Sequence, residues 1–206
     1  MRIVAGVLRG RRLRVPTGKT TRPTTERVRE ALFDMLGSSI QQRNVLDLYA
    51  GSGALGIEAL SRGARRTVFV EAAPSAAQII RANLVNLALT DPSVAQVVVR
   101  AVERSFSVLR AFSPFDLCFV DPPFSAVRDR SALRAVEAMV EEGILSPHAE
   151  LIFESPSDQP VPSLQGFGST IFDSMVIRIW RSFLSQTGKI SYNAKPESVY
   201  YRFEIL

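Results

Sequence analysis

Cysteine and histidine are almost missing from this 206-residue chain, which has one of each, Cys118 and His148. A single cysteine excludes an internal disulfide, and with one histidine beside it no cysteine-based metal cluster can be assembled. Long apolar runs are missing as well. No stretch of about 18 apolar residues occurs, so no membrane-spanning helix is expected. The basic N-terminus is not followed by the apolar stretch of a secretory signal. Internal repeats and low-complexity segments are absent. What remains is 46% apolar and 22% charged, enough to bury the core of one ordinary soluble domain. The expectation is a cytoplasmic protein with no metal site and no membrane partner.

Charge is present but unevenly placed. The first 29 residues hold nine basic side chains, Arg2, Arg9, Arg11, Arg12, Arg14, Lys19, Arg22, Arg27 and Arg29, against one acid, Glu26. The rest of the chain has 16 basic and 19 acidic residues, so the net charge of +5 comes entirely from the N-terminal segment. Such clustering is the footprint of a nucleic-acid contact, because arginines displace counterions from phosphates. A merely solvated basic tail is the alternative.

Hydrophobic periodicity divides the chain into alternating elements. Residues 2–15 alternate around Gly6 and Gly10, which predicts a β-hairpin. Thr24 or Thr25 can cap a helix ending near Leu36, with Val28, Ala31, Leu32, Met35 and Leu36 on one face. Strands are expected at 44–48, 67–71, 95–99, 115–120 and 150–154, and helices at 55–61, 75–87, 102–111 and 131–142. Residues 170–180 and 198–205 suggest a final antiparallel pair, and 155–163, with three prolines, a flexible loop. Repeated β-α units predict a doubly wound, mostly parallel α/β sheet of seven strands with helices on both faces. The organisation is then a basic hairpin over 1–20 and one sheet domain over 21–206. Ligands on such sheets bind beyond the carboxyl ends of the strands.

Two motifs lie at predicted strand ends. The first, Asp47-Leu48-Tyr49-Ala50-Gly51-Ser52-Gly53, continues to Gly56 and formally matches the G-x-G-x-x-G dinucleotide fingerprint. Glu71 follows Gly51 by 20 positions, where a ribose-binding acid sits with either a nicotinamide cofactor or S-adenosylmethionine. Asp47 separates the two. A carboxylate is unfavourable beside a pyrophosphate and favourable near the ammonium of S-adenosylmethionine. Tyr49, Gly51, Ser52, Gly53 and Glu71 are therefore expected, with Asp47, to hold S-adenosylmethionine. Asp47 could instead brace the loop, and Glu71 could be a plain surface acid. Near Ala101 the acid that often meets the adenine amine is missing, so backbone groups around Ala101 are expected to serve.

The second motif is Asp121-Pro122-Pro123-Phe124. An exocyclic amine is a poor nucleophile because its lone pair is delocalised into the ring. The Asp121 carboxylate and the Pro122 carbonyl can accept from the amine and orient it. Pro122 and Pro123 restrict the turn, and Phe124 can stack on the base. The bland reading is a strand-end turn. Cys118 falls inside the preceding strand and is expected in the core, and His148 at the surface.

These residues make the chain resemble the bacterial family that methylates the exocyclic N2 of one guanine in 16S ribosomal RNA. The resemblance is carried by the basic segment from Arg2 to Leu13, by Arg22-Pro23-Thr24-Thr25-Glu26-Arg27-Val28-Arg29-Glu30-Ala31-Leu32-Phe33, and by the two motifs above. It covers about the first 155 residues, and 189–206 depart from it. It implies a Rossmann-like methyltransferase sheet with an N-terminal hairpin, S-adenosylmethionine as cofactor, and 16S rRNA as partner in a small subunit or its precursor. Arg22 and Thr24 are expected beside the cofactor, with Arg22, Arg27 and Arg29 facing the cleft. Arg2, Arg9, Arg11, Arg12, Arg14 and Arg27 are expected on RNA. The protein is expected to be a monomer. A DNA adenine-N6 methyltransferase would use the same loop but lacks room for a target-recognition domain. A non-catalytic RNA-binding or assembly protein is argued against by the intact Asp121 motif, and a dehydrogenase is more distant.

Overall fold

The computed structural model describes residues 1–16, 26–156 and 175–181. Its elements, in chain order, are α1 (Glu26–Leu36), β1 (Asn44–Leu48), α2 (Ala54–Ser61), β2 (Arg66–Glu71), α3 (Pro74–Asn86), β3 (Ala95–Val99), α4 (Phe106–Leu109), β4 (Phe115–Val120), α5 (Phe124–Arg128), α6 (Ser131–Glu141), β5 (Leu145–Pro156) and β6 (Met175–Arg181). Six strands form one sheet in the order β3-β2-β1-β4-β5-β6. All neighbours run parallel except β5 and β6.

The two-residue period of the strands splits the core into two layers. Leu46, Leu48, Val68, Val70, Cys118, Val120, Leu151 and Phe153 pack on one face with α6 residues such as Leu133, Val136 and Met139. Val45, Phe69, Leu117, Phe119 and Ile152 point the other way, onto Leu32 and Phe33 of α1, Ile57 of α2 and Ile80 of α3. Cys118 is fully buried and His148 is exposed, as expected.

Several expectations need correcting. Six of the seven expected strands fall among the described residues; the seventh, 198–205, lies outside them, as does the expected loop from 157 on, while Ser155 and Pro156 end β5. The N-terminal segment forms one antiparallel bridge, Arg2 with Arg12, flanked by backbone bonds from the Ile3 amide to the Arg11 carbonyl at 3.0 Å, the Gly10 amide to the Ile3 carbonyl at 2.8 Å and the Leu13 amide to the Met1 carbonyl at 3.0 Å. Its backbone has other partners: the amides of Val4 and Ala5 donate to the Glu58 carboxylate at 2.8 and 2.9 Å, and the amide of Val7 to the Ser61 carbonyl at 2.8 Å. The segment therefore pairs with itself over a short stretch and also seats on α2. Gly6 has φ +81°, and a Cβ there would lie 1.9 Å from the Ser61 carbonyl oxygen. The expected helix over 102–111 breaks into a 3₁₀ turn, Val102–Arg104, and the single turn of α4. β5 starts five residues earlier than 150, and β6 pairs with it directly.

Candidate active site at the carboxyl ends of the strands

Strand order reverses between β1 and β4, which are neighbours in register from Val45↔Leu117 to Leu48↔Val120. The glycine loop after Leu48 and the Asp121 loop after Val120 therefore leave the sheet side by side. This is the crevice where doubly wound sheets bind ligands. Glu71 ends β2, the strand on the other side of β1.

The glycine loop is tightly braced. The Glu71 carboxylate accepts from the amides of Gly51 and Ala73, each at 2.8 Å. The Ala50 amide reaches back to the Val70 carbonyl at 3.1 Å, and the Gly53 amide to the Ala50 carbonyl at 2.7 Å. Tyr49, Gly51 and Gly53 all have positive φ, at 58°, 56° and 77°. Glycine meets that demand at little cost, and a non-glycine residue there is strained. The Tyr49 ring packs on the α6-side core. Its hydroxyl is buried with no hydrogen-bond partner among the described residues, and that burial raises its pKa. Ser52 offers its carbonyl to the side-chain amide of Asn83 at 3.0 Å.

Asp47 sits one layer beneath the loop, 1% exposed. Its Oδ2 accepts from the Gly56 amide at 2.9 Å, bracing the first turn of α2. Gly56 leaves space for this contact, since a Cβ there would lie 2.4 Å from the Phe69 ring and 2.9 Å from Asp47 Oδ2. The third glycine of the fingerprint thus serves close helix–strand packing. Burial pushes the Asp47 carboxyl well above its usual value. The Gly56 amide opposes that shift, and the charges of Asp121 and Glu71 reinforce it. Three acids thus converge on one crevice. Such a field repels a pyrophosphate and attracts a cation, so these residues fit a sulfonium and ammonium ligand better than a dinucleotide.

The Asp121 loop is open by contrast. Asp121 is half-buried, Pro122 buried and Pro123 exposed. Phe124 is 61% exposed, an unusual cost for a large apolar ring, and one that suits a stacking surface. Pro123 stands at the start of α5 with φ −60°, and its carbonyl accepts from Ala126. α5 was not foreseen in the sequence. Ala101, half-buried, ends β3's loop and opens the 3₁₀ turn by accepting from the Arg104 amide. Arg22 and Thr24 lie outside the described residues. Among the described residues no acid, cysteine or histidine cluster could hold a metal, and no helix is long and apolar enough to cross a membrane.

Of the expected RNA contacts, Arg9, Arg12, Arg14 and Arg27 are exposed. Arg2 is exposed but pairs with Glu26 at 3.0 Å, and Arg11 donates to the Asn86 carbonyl at 2.7 Å. Arg29 corrects the expectation that it faces the cleft. It is fully buried, donates to the Arg2 carbonyl at 2.5 Å and lies 3.6 Å from Glu58. Burial lowers its pKa, and the Glu58 charge offsets part of that.

Glu58 and Asn83 were missed in the sequence, and each carried a signal. Glu58 is a lone carboxylate in an otherwise apolar α2, and Asn83 a lone amide on the apolar face of α3. Both are 1% exposed, and both find backbone partners in residues 1–16.

Comparison with known proteins agrees with this geometry. A family model described as conserved hypothetical protein 95 matches residues 1–170. The chain is 39% identical over 145 residues to a candidate rRNA methyltransferase, YlbH, of Bacillus subtilis, covering 69% of this chain and 78% of that one. It is 36% identical over 161 residues to the ribosomal RNA small subunit methyltransferase D of Haemophilus influenzae, covering 78% and 81%. The solved structure of an Escherichia coli protein described as a candidate methyltransferase, yhhF, superposes with a TM-score of 0.74 at 33% identity, over 88% of this chain and 97% of that one. This chain belongs to the conserved hypothetical protein 95 family, alongside the ribosomal RNA small subunit methyltransferase D proteins.

Proposed function

We propose that this protein transfers a methyl group from S-adenosylmethionine to the exocyclic N2 of a guanine in 16S rRNA, within a small ribosomal subunit or its precursor. The observation that carries the reading is the placement of the two loops at adjacent strand ends, Leu48 beside Val120. Gly51 leaves open backbone where a cofactor would approach, since a Cβ there would meet nothing closer than the Tyr49 carbonyl at 3.9 Å, while Gly53 lets the loop close over Ile80 and Phe69. Glu71 is suited to the ribose hydroxyls, and the acidic crevice to the cationic end of the cofactor. S-adenosylmethionine supplies an electrophilic methyl on a positively charged sulfur. Asp121 and the Pro122 carbonyl accept hydrogen bonds from the amine and turn its lone pair toward that methyl, while Phe124 stacks on the base. With that cofactor held by the glycine loop and Glu71, the amine nitrogen would take the methyl as its bond to sulfur breaks, S-adenosylhomocysteine would be released, and the amine proton would pass to Asp121 or to water. Holding the two reactants in line supplies much of the rate. The target guanine must leave its stack to reach Phe124. Arg9, Arg12, Arg14 and Arg27 contribute phosphate contacts. The protein acts as a cytoplasmic monomer.

The relatives' names favour rRNA over DNA as the substrate. Mass-spectrometric mapping of 16S rRNA from cells with and without the gene tests the reading. One N2-methylguanosine is expected to disappear with the gene and to return on incubating the deficient subunits with protein and cofactor. An adenine modification in DNA would replace the reading.

A further inference from the structure

The side-chain amide of Asn83 joins three segments far apart in the chain. Its Oδ1 accepts from the Arg14 amide at 2.8 Å. One Nδ2 proton goes to the Arg14 carbonyl at 3.0 Å, and the other to the Ser52 carbonyl in the glycine loop at 3.0 Å. A carboxamide is planar and has two amide protons, and both are used here. Its orientation toward Arg14 therefore fixes its orientation toward Ser52. At 1% exposure water cannot replace a lost bond.

Helix α3 extends the connection in both directions, through the Ile80 side chain and the Asn86 backbone carbonyl. Ile80, three residues earlier, lies under Gly53, where its Cγ2 would be 3.2 Å from an added Cβ. Asn86, three residues later, accepts from the Arg11 guanidinium at 2.7 Å. α3 thus carries the glycine loop through Ile80 and Asn83, and the arginine-bearing segment through Asn83 and the Asn86 carbonyl.

We infer that Asn83 is a positioning residue that couples the two ligands of this enzyme, so that RNA held by the basic N-terminal segment tightens cofactor binding at the glycine loop. This rests on the RNA methyltransferase reading above. RNA that immobilises Arg9, Arg12 and Arg14 holds the Arg14 backbone still. The Asn83 amide then holds the Ser52 carbonyl more firmly, and the braced loop loses its remaining freedom before the cofactor arrives. A ligand that meets an ordered site has less entropy to lose. Linkage requires the reverse effect too: cofactor must tighten RNA by the same factor.

The test is a cycle of dissociation constants for S-adenosylhomocysteine, measured by calorimetry with and without saturating small ribosomal subunits from a strain lacking the gene. In the wild type the subunits are expected to tighten binding about fivefold or more. In Asn83→Asp, which keeps the shape and the acceptor but turns a second oxygen toward two carbonyls, that ratio is expected to fall to about one. A ratio of one in the wild type, or an undiminished ratio in a folded Asn83→Asp, overturns the inference and leaves Asn83 as ordinary structural glue. Hydrogen exchange on the unmodified protein gives a second readout that needs no variant. S-adenosylhomocysteine alone should slow exchange of the Arg14 amide, and an unchanged Arg14 amide overturns the coupling. A wild type that binds neither ligand overturns the methyltransferase reading itself, and the coupling with it.

Discussion

The glycine loop and the Asp121 loop leave neighbouring strands at the same level of the sheet, yet they are held in opposite ways. The first is braced by Glu71, Asn83 and the Val70 carbonyl, with Asp47 pinning the helix that follows. The second ends in an exposed aromatic ring on a five-residue helix. The difference suits the two ligands proposed for them. A small cofactor is bound most tightly by a site ordered in advance. A base swung out of a large RNA needs an open platform. Changes in the glycine loop should therefore act on cofactor affinity, and changes in the Asp121 loop on turnover.

The largest separation is expected from Asp121→Ala. Single-turnover methyl transfer at saturating cofactor should fall by about 100-fold or more, the scale for losing one aimed polar group at a reacting atom. Cofactor affinity by calorimetry should fall far less, since Asp121 adds only its charge to a crevice that Glu71 also lines. Near-normal transfer would show the loop to be structural. Phe124→Ala comes next. Losing a stacking surface worth about 1–3 kcal/mol should weaken productive RNA binding by roughly 5- to 150-fold. Phe124→Tyr should restore most of it, because the ring still stacks. Equal losses in the two variants would rule stacking out.

Glu71→Ala tests the other loop. It strands the amides of Gly51 and Ala73 and removes the acceptor proposed for the ribose. Hydrogen bonds to a charged group contribute about 1.5–3 kcal/mol, so cofactor affinity should fall by about tenfold or more. Transfer of the bound cofactor should change little, and a loss confined to that step would reverse the division of labour.

The smallest effect concerns pH. The folded-state pKa of Asp47 is raised above 3.8, chiefly by burial. A raised carboxyl holds its proton more tightly folded than unfolded. Asp47 therefore lowers stability as pH rises from 3.8 toward the folded value. A cationic ligand stabilises the carboxylate instead, so cofactor affinity should rise with pH through the same window. Asp47→Asn should flatten both trends, and calorimetry and thermal melts across pH would reveal them. An unaltered affinity profile in Asp47→Asn would remove Asp47 from the crevice's field.

Much of this molecule is written in short-range pattern. Strand interiors such as Val68-Phe69-Val70 and Leu117-Cys118-Phe119-Val120 are apolar on both faces, as a parallel sheet between helices requires. The glycines and prolines mark the loops because φ is a local property. α5 escaped notice because five residues show too little period. The N-terminal arms pair only briefly, because alternation in 2–15 shows a strand-like segment but not that Glu58 and Ser61 of α2 take the backbone between the arms. Arg29 looked like a surface arginine because composition does not show that Glu58 waits beneath it.

By itself, then, the sequence determined the order of strands and helices, the two loops at strand ends and the charge of the N-terminal segment. Each of these depends on residues within a few positions of one another. Only the tertiary structure decided that β1 and β4 are neighbours, that Glu58 anchors residues 4 and 5 from more than fifty positions away, and that Asn83 ties Arg14 to Ser52. Those contacts join groups that only chain crossover brings within hydrogen-bond distance, and buried polar groups must find such partners wherever the fold supplies them.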